Sequence, residues 1–312
     1  MNLPGGLYIE IDGEIQRARD FSFRPITGAL EMQLQDLLQD CSAHDEAHPV
    51  WISRLLTAIL ARLATQTITP DDEKSLTLVR ELCVADRHYV LLQWRLMLAG
   101  GSDYEWLSAH CPACTARYDF PLEWAQLPVK SAGEHFPQIS FLLDDASINN
   151  GTAIQVRVPR GSDQEFIAQF HVQDAAQDQT QYERQYEKEL RTQLLQRLII
   201  ADNPRALVQA LDENDIARIE TALEQAAPEL AQQLQLACPE CGEQHQVQLD
   251  WYRGMHKPID ELLDQIHRLA ANYHWSEQEI LALPKQRRTA YLRRLDRDRG
   301  VSSWADTTGA AL

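Results

Sequence analysis

The sequence predicts an α+β fold, mainly helical, in which a duplicated strand-helix-zinc-knuckle unit shares one zinc-ribbon-like site and a C-terminal helical hairpin follows. Three observations lead there. Two Cys-Pro-x-Cys turns, Cys111-Pro112-Ala113-Cys114 and Cys238-Pro239-Glu240-Cys241, stand 127 residues apart. From the last cysteine of each to a tryptophan, Trp124 or Trp251, the interval is ten residues, and Asp-Phe-Pro-Leu-Glu-Trp is answered by Gln-Val-Gln-Leu-Asp-Trp. Elsewhere, apolar residues recur at helical spacing. Self-similarity at a fixed offset marks internal repetition. The predicted division is a first repeat over 1–135, a second over 136–257, a helical segment over 258–299 and a mobile tail over 300–312.

In chain order, residues 7–23 alternate as a strand pair around an Asp12-Gly13 turn, and a polar loop with two prolines and a glycine follows. Trp51, Ile52, Leu55, Leu56, Ile59, Leu60 and Leu63 build one buried helical stripe. After Pro70, Asp71-Asp72-Glu73 suits a helix N-terminus and its positive dipole end. Asp86 reads as the cap of a third helix over 87–98, stopped by Gly100-Gly101. The first knuckle leads into a short strand, Arg117-Tyr118-Asp119-Phe120. In the second half, residues 153–158 alternate as a strand and a loop containing Gly161 follows. A helix over about 182–201 then aligns Leu190, Leu194, Leu195, Leu198 and Ile199. Further helical segments precede the second knuckle, which leads into residues 246–249. Pro258 opens a helix whose apolar face is Leu262, Leu263, Ile266, Leu269 and Ala270. Ser276-Glu277-Gln278-Glu279 is a capping box ahead of Ile280 and Leu281, Pro284 ends that short helix, and a last helix covers about 285–297.

Composition bounds the function. With 44 % hydrophobic residues over 312, each half can bury a sizeable core. The longest apolar runs, 90–92 and 198–201, fall far short of the roughly 20 residues that cross a bilayer. The N-terminal Met-Asn-Leu-Pro-Gly-Gly has neither a basic nor an apolar leader region, so a cytoplasmic setting without membrane contact is expected. A net charge of −17 repels a phosphate backbone. Basic residues gather once, between 285 and 299, where seven of them against two aspartates leave a local balance of +5. That segment reads as a solvated helix face, as a tail that docks on the protein's own acidic body, or as a partner-docking surface, with Arg287, Arg288, Arg293 and Arg294 as the partner-binding residues.

In a reducing compartment, four cysteines in two C-x-x-C pairs suit a metal better than disulfides. One such turn supplies two thiolates and zinc takes four, so Cys111, Cys114, Cys238 and Cys241 are expected to close one structural zinc site per chain. Redox dithiols and uncommitted thiols are the alternative readings. Thr115 stands where the second knuckle has Gly242, so the first turn is expected to be tighter or differently bonded. Cys41 and Cys83 read as small hydrophobes. His44 and His48 have the i, i+4 spacing of a helical zinc site, but Asp45 replaces the hydrolytic glutamate and Pro49 disfavours a helix at His48, so the segment reads as a solvated loop. No nucleophile elbow, phosphate loop or dinucleotide fingerprint is present, and His256, His267 and His274 read as packing or surface residues. The chain is not expected to be an enzyme.

Four features together resemble a known family: Arg24-Pro25-Ile26-Thr27-Gly28-Ala29-Leu30-Glu31; Asp86-Arg87-His88-Tyr89-Val90-Leu91-Leu92; the two knuckles; and the closing stretch over 269–281 with Arg287-Arg288 and Tyr291-Leu292. The family is that of the T-even-type phage baseplate hub assembly chaperones, found also in bacterial contractile injection systems. The resemblance implies a non-enzymatic assembly chaperone or baseplate component whose partners are hub, spike or tape-measure proteins of a contractile tail. A nucleic-acid-binding zinc-ribbon protein is the alternative, which the overall charge opposes.

Overall fold

The computed structural model describes residues 1–11, 13–44, 48–99, 103–142, 153–169, 179–249, 251 and 259–298. Strands β1 (Asn2–Ile11) and β2 (Glu14–Phe23) lead to helices α1 (Gly28–His44) and α2 (His48–Ile59), then β3 (Leu60–Leu63), β4 (Gln66–Thr67), α3 (Glu73–Arg80) and α4 (Val84–Leu98). Next come β5 (Tyr104–His110), β6 (Arg117–Glu123), a 3-10 turn over Trp124–Gln126, β7 (Val129–Lys130), β8 (Gln138–Leu142), β9 (Ala153–Arg157), α5 (Gly161–Ala168) and α6 (Gln179–Leu198). The chain continues through β10 (Ile199–Ile200), α7 (Pro204–Ala210), α8 (Glu213–Ala226), β11 (Glu229–Leu230), β12 (Gln233–Ala237) and β13 (Gln244–Gln248). It closes with α9 (Ile259–Tyr273), α10 (Glu277–Ala282) and α11 (Lys285–Asp298). The class is α+β, and no described helix is long and apolar enough to cross a membrane.

Two compact units result, one formed by Met1–Phe23 with Ala47–Arg253, the other by Arg24–Glu46 with Gly254–Leu312. The division differs from the four consecutive segments expected, because residues 24–46 join the C-terminal helices.

In the larger unit, β1 to β4 form one antiparallel sheet in sequence order. Leu60 and Leu63, expected on the α2 stripe, instead pair in β3 with Phe23 and Phe21. Both are fully buried either way, so hydrophobicity alone did not separate helix from strand. A second sheet, β10-β9-β8, carries α6, α7 and α8 over a core of Ile139, Ile154, Val156, Leu195, Leu198 and Ile219.

Helix α4 ties this unit together through consecutive buried polar residues. Asp86 does not cap the helix. Cys83 holds the N-cap position, and the Asp86 carboxylate accepts the amides of Gly5 and Gly6, both at 2.7 Å, anchoring the irregular start of β1. Burial raises the Asp86 pKa, and the two amides oppose that rise. Arg87 donates to Ser53 Oγ of α2 at 2.9 Å and to the Pro49 carbonyl at 2.8 Å. Ser53 in turn donates to Glu165 of α5, whose other oxygen accepts from Arg80 of α3 at 2.8 Å. One buried network therefore joins four helices, which satisfies groups that would otherwise be costly to bury. The loop expected at Gly161 is instead the first turn of α5. Glycine is needed there because a Cβ would lie 2.1 Å from the Arg87 guanidinium. Asp163, at the third position of α5, accepts two bonds from Arg157, at 2.6 and 2.8 Å, and one from Arg197 at 3.0 Å.

In the smaller unit, α9, α10 and α11 surround Leu262, Ile266, Leu269, Ile280, Leu292 and Leu295. Ser276 and Glu279 form the expected capping box. Residues 28–44, expected as loop, are the helix α1, opened by Thr27, whose hydroxyl accepts the Leu30 amide at 3.3 Å. Arg288 is fully buried: its guanidinium donates to Glu31 of α1, to Gln265 of α9 at 3.3 Å and to the Leu283 carbonyl at 3.1 Å. This corrects the expectation that Arg288 binds a partner, since it cannot hold Glu31 and face outward together. Arg287, Arg293 and Arg294 are exposed. Arg288→Ala, which removes the guanidinium that links Glu31, Gln265 and the Leu283 carbonyl while Lys285 stays 3.8 Å from Glu31, is expected to destabilise this unit by about 2–3 kcal/mol. Arg293→Ala is expected to change stability by no more than about 0.5 kcal/mol, both read by chemical denaturation.

Candidate metal centre

Two hairpins carry the cysteines. In the first, β5 and β6 pair from Tyr104↔Glu123 to His110↔Arg117; in the second, β12 and β13 pair from Gln233↔Gln248 to Ala237↔Gln244. Adding 127 to His110 and Arg117 gives Ala237 and Gln244, so the two ladders share one register about their knuckles. The turns are bonded alike. The Thr115 amide donates to the Cys111 carbonyl at 3.0 Å and the Gly242 amide to the Cys238 carbonyl at 2.9 Å. Cys111 and Cys238 donate to the carbonyls of Ala116 and Glu243, both at 2.9 Å. Thr115 was expected to alter its turn. It adopts the same left-handed backbone as Gly242, with φ of 61° against 74°, and the bonding is unchanged. Glycine tolerates this conformation freely and threonine does so at a cost of about 1 kcal/mol.

All four ligand atoms lie within 4.8 Å of one another. Cys111 Sγ is 3.6 Å from Cys241 Sγ, and Cys114 Sγ is 3.7 Å from Cys238 Sγ. Neither pair is a disulfide, whose sulfurs stand about 2.05 Å apart. Four thiolates at about 2.3 Å around one tetrahedral ion stand about 3.8 Å from each other, so the spacing and the donor type fit a metal ion. Electrostatics argue the same way. The amide of Cys114 and its neighbours draw the Cys111 thiol down to about 6. Cys241 takes an amide hydrogen bond from Glu243 that lowers it, yet the crowd of thiols and burial push it up to about 12. Negative sulfurs this close repel unless a cation lies among them.

Around the sulfurs, like residues of the two hairpins meet. Tyr118 and His245, each four residues beyond its knuckle, share a hydrogen bond of 2.9 Å between the Tyr118 hydroxyl and His245 Nε2. Trp124 and Trp251 make an edge contact with centroids 5.4 Å apart. Helix α4 covers both indoles. Arg95 lies 4.1 Å over the Trp124 ring and binds Asp103 and Glu105, while His88 stacks on Trp251 at 5.6 Å. Cys111 and Cys238 are buried, whereas Cys114 and Cys241 reach the surface.

Sequence reasoning found the four cysteines and both tryptophans. It missed His88 and Arg95, which only the packing of α4 reveals, and it missed the Tyr118–His245 pair, for which equal distance from the knuckles was an available signal. The other proposed histidine pair gains no support: Asp45, Glu46, Ala47 and the His44 side chain lie outside the described residues. So do Asp12, Gly100, Gly101, the Cys41 side chain, Pro258 and the tail over 300–312. Cys83 is buried, as expected for a small hydrophobe.

A chain that brings two cysteine hairpins together in this way offers four sulfur ligands spaced so that they could hold one metal ion. A family model described as T4 bacteriophage base plate protein matches residues 14–252, and the chain belongs to that family. The match includes both knuckles and α4, and it ends before the helices over 259–298. Searches of curated proteins and of solved structures gave no match.

Burial lowers the His88 pKa from 6.5 to about 4. As pH falls, the unfolded chain takes up this proton first. Stability present above about pH 6.5 is therefore lost toward pH 4, by about 3 kcal/mol from this group. His88→Phe keeps the stack on Trp251 and removes the proton site. The difference between variant and parent in denaturation midpoint is expected to shift in the variant's favour as pH drops through that window.

Proposed function

We propose that this protein is a non-enzymatic assembly chaperone or structural component for the hub of a contractile tail, acting through protein contacts on a scaffold closed by one structural zinc ion. The observation that carries the reading is the family match over residues 14–252 together with the four-cysteine cluster inside it. Four thiolates leave zinc no open position for water, which suits a structural ion and supports no hydrolytic role. The zinc-ribbon-like halves are, in this reading, copies of one duplicated unit. Duplication about a shared ion accounts for the common ladder register and for the reciprocal contacts, Cys111 with Cys241 and Cys114 with Cys238. Exposed Arg287, Arg293 and Arg294 are the candidate partner contacts left on α11. A nucleic-acid role, motivated by the two knuckles and the basic segment over 285–299, is opposed by the net charge of −17.

Co-expression with the other tail proteins of the same system, followed by affinity purification, tests the reading. A hub, spike or tape-measure protein is expected to co-purify or to become soluble only in the presence of this chain. If none is captured or solubilised, the assembly role is wrong.

A further inference from the structure

Matched by the 127-residue offset, the two hairpins agree on their buried faces and differ on their solvent faces. Leu107, Ala109, Phe120 and Leu122 correspond to Leu234, Leu236, Val247 and Leu249, and all eight lie in or against one apolar cluster. On the outside, Tyr104 and Trp106 of β5 are 57 % and 60 % exposed and touch edge-on at 6.2 Å. Across the ladder, Pro121 stands opposite Trp106 and Glu123 opposite Tyr104. The second hairpin has Gln233 and Gln248 in place of Trp106 and Pro121, and Ala231 in place of Tyr104. It thus serves as an internal control: the hairpin and its knuckle form with glutamines outside, so the aromatic face is not required for folding. Large rings held in water without a structural role mark a contact surface.

We propose that the Tyr104–Trp106 face docks a cationic, arginine-bearing segment of another protein chain. The inference rests on the reading that this protein works through protein contacts, and it names the chemistry of one of them. Charge selects the occupant. Glu123 and Asp119 flank the aromatic pair on the same face. Arg117, at the knuckle end, donates to Ser108 at 3.2 Å, and Ser108 donates to Asp119 at 2.5 Å. A guanidinium laid on the Trp106 ring would find a π face and a carboxylate within one side chain's reach, the pairing that arginine makes better than lysine. The acidity of the whole chain would speed such an encounter.

Calorimetric titration of the full, metal-loaded chain with a short peptide of alternating arginine and proline tests this directly. Saturable binding is expected, weakened about tenfold or more in Trp106→Gln/Tyr104→Ala, which installs the residue types the second hairpin carries. Gln233→Ala and a glutamate-proline peptide serve as controls, the first leaving affinity unchanged and the second not binding. Should the double variant fail to fold, Glu123→Lys is expected to weaken binding several-fold through charge alone. No saturable binding by the parent chain, or equal affinity in a folded variant, overturns the inference. Capture of tail proteins would survive that result, so its failure and the failure of the assembly role are separate outcomes.

Discussion

Four sulfurs within 4.8 Å, delivered by turns on opposite sides of a long intervening chain, are the constraint around which the larger unit is arranged. Thiolates at that distance repel, and neutral thiols attract one another only weakly, so the cluster is costly unless an ion draws the four together. With an ion, the cost becomes a cross-link comparable to a disulfide network but spanning both hairpins at once. The consequences spread outward in layers. Meeting knuckles bring Tyr118 to His245 and Trp124 to Trp251, and the two indoles make the platform on which α4 lies.

From α4 the order passes on through polar rather than apolar contacts. Asp86, Arg87 and His88 face three ways, to the start of β1, to the network of α2, α3 and α5, and to Trp251. Each is a buried polar anchor within the span that matches the baseplate family model. The smaller unit is also held by a buried polar contact. Glu31 and Arg288 are an ion pair within the smaller unit, joining segments from opposite ends of the chain. Such pairs add little net stability against an apolar alternative, but removing one partner is expensive, which fixes the pairing of α1 with α11.

How much of this was legible in the sequence follows the range of the physics involved. Local signals served well: the knuckles, the Ser276–Glu279 capping box, the start of α3 at Asp72 and the β1–β2 pair are set by residues a few places apart. The cysteine site was legible because ligand chemistry is specific and the two turns repeat one pattern. Tertiary context decided the rest. Leu60 and Leu63 continue a helical stripe, yet pairing with β2 makes them a strand. Gly161 looks like a loop residue, but it is small because Arg87 lies against it. α1 alternates leucine with glutamine and aspartate too evenly to show a face until the C-terminal helices supply one. Nothing local told Arg288 from Arg287, although one is buried and the other exposed.

The proposed scaffold presents an aromatic patch on one hairpin of the larger unit and exposed arginines on α11 of the smaller one. All of it presumes that the hairpins are joined through a metal. X-ray absorption at the zinc edge on purified protein, with the metal content measured on the same sample, tests that most directly. One zinc per chain with four sulfurs at about 2.3 Å is the predicted result. Substoichiometric metal, or an ion whose nearest neighbours are nitrogen and oxygen, would contradict it.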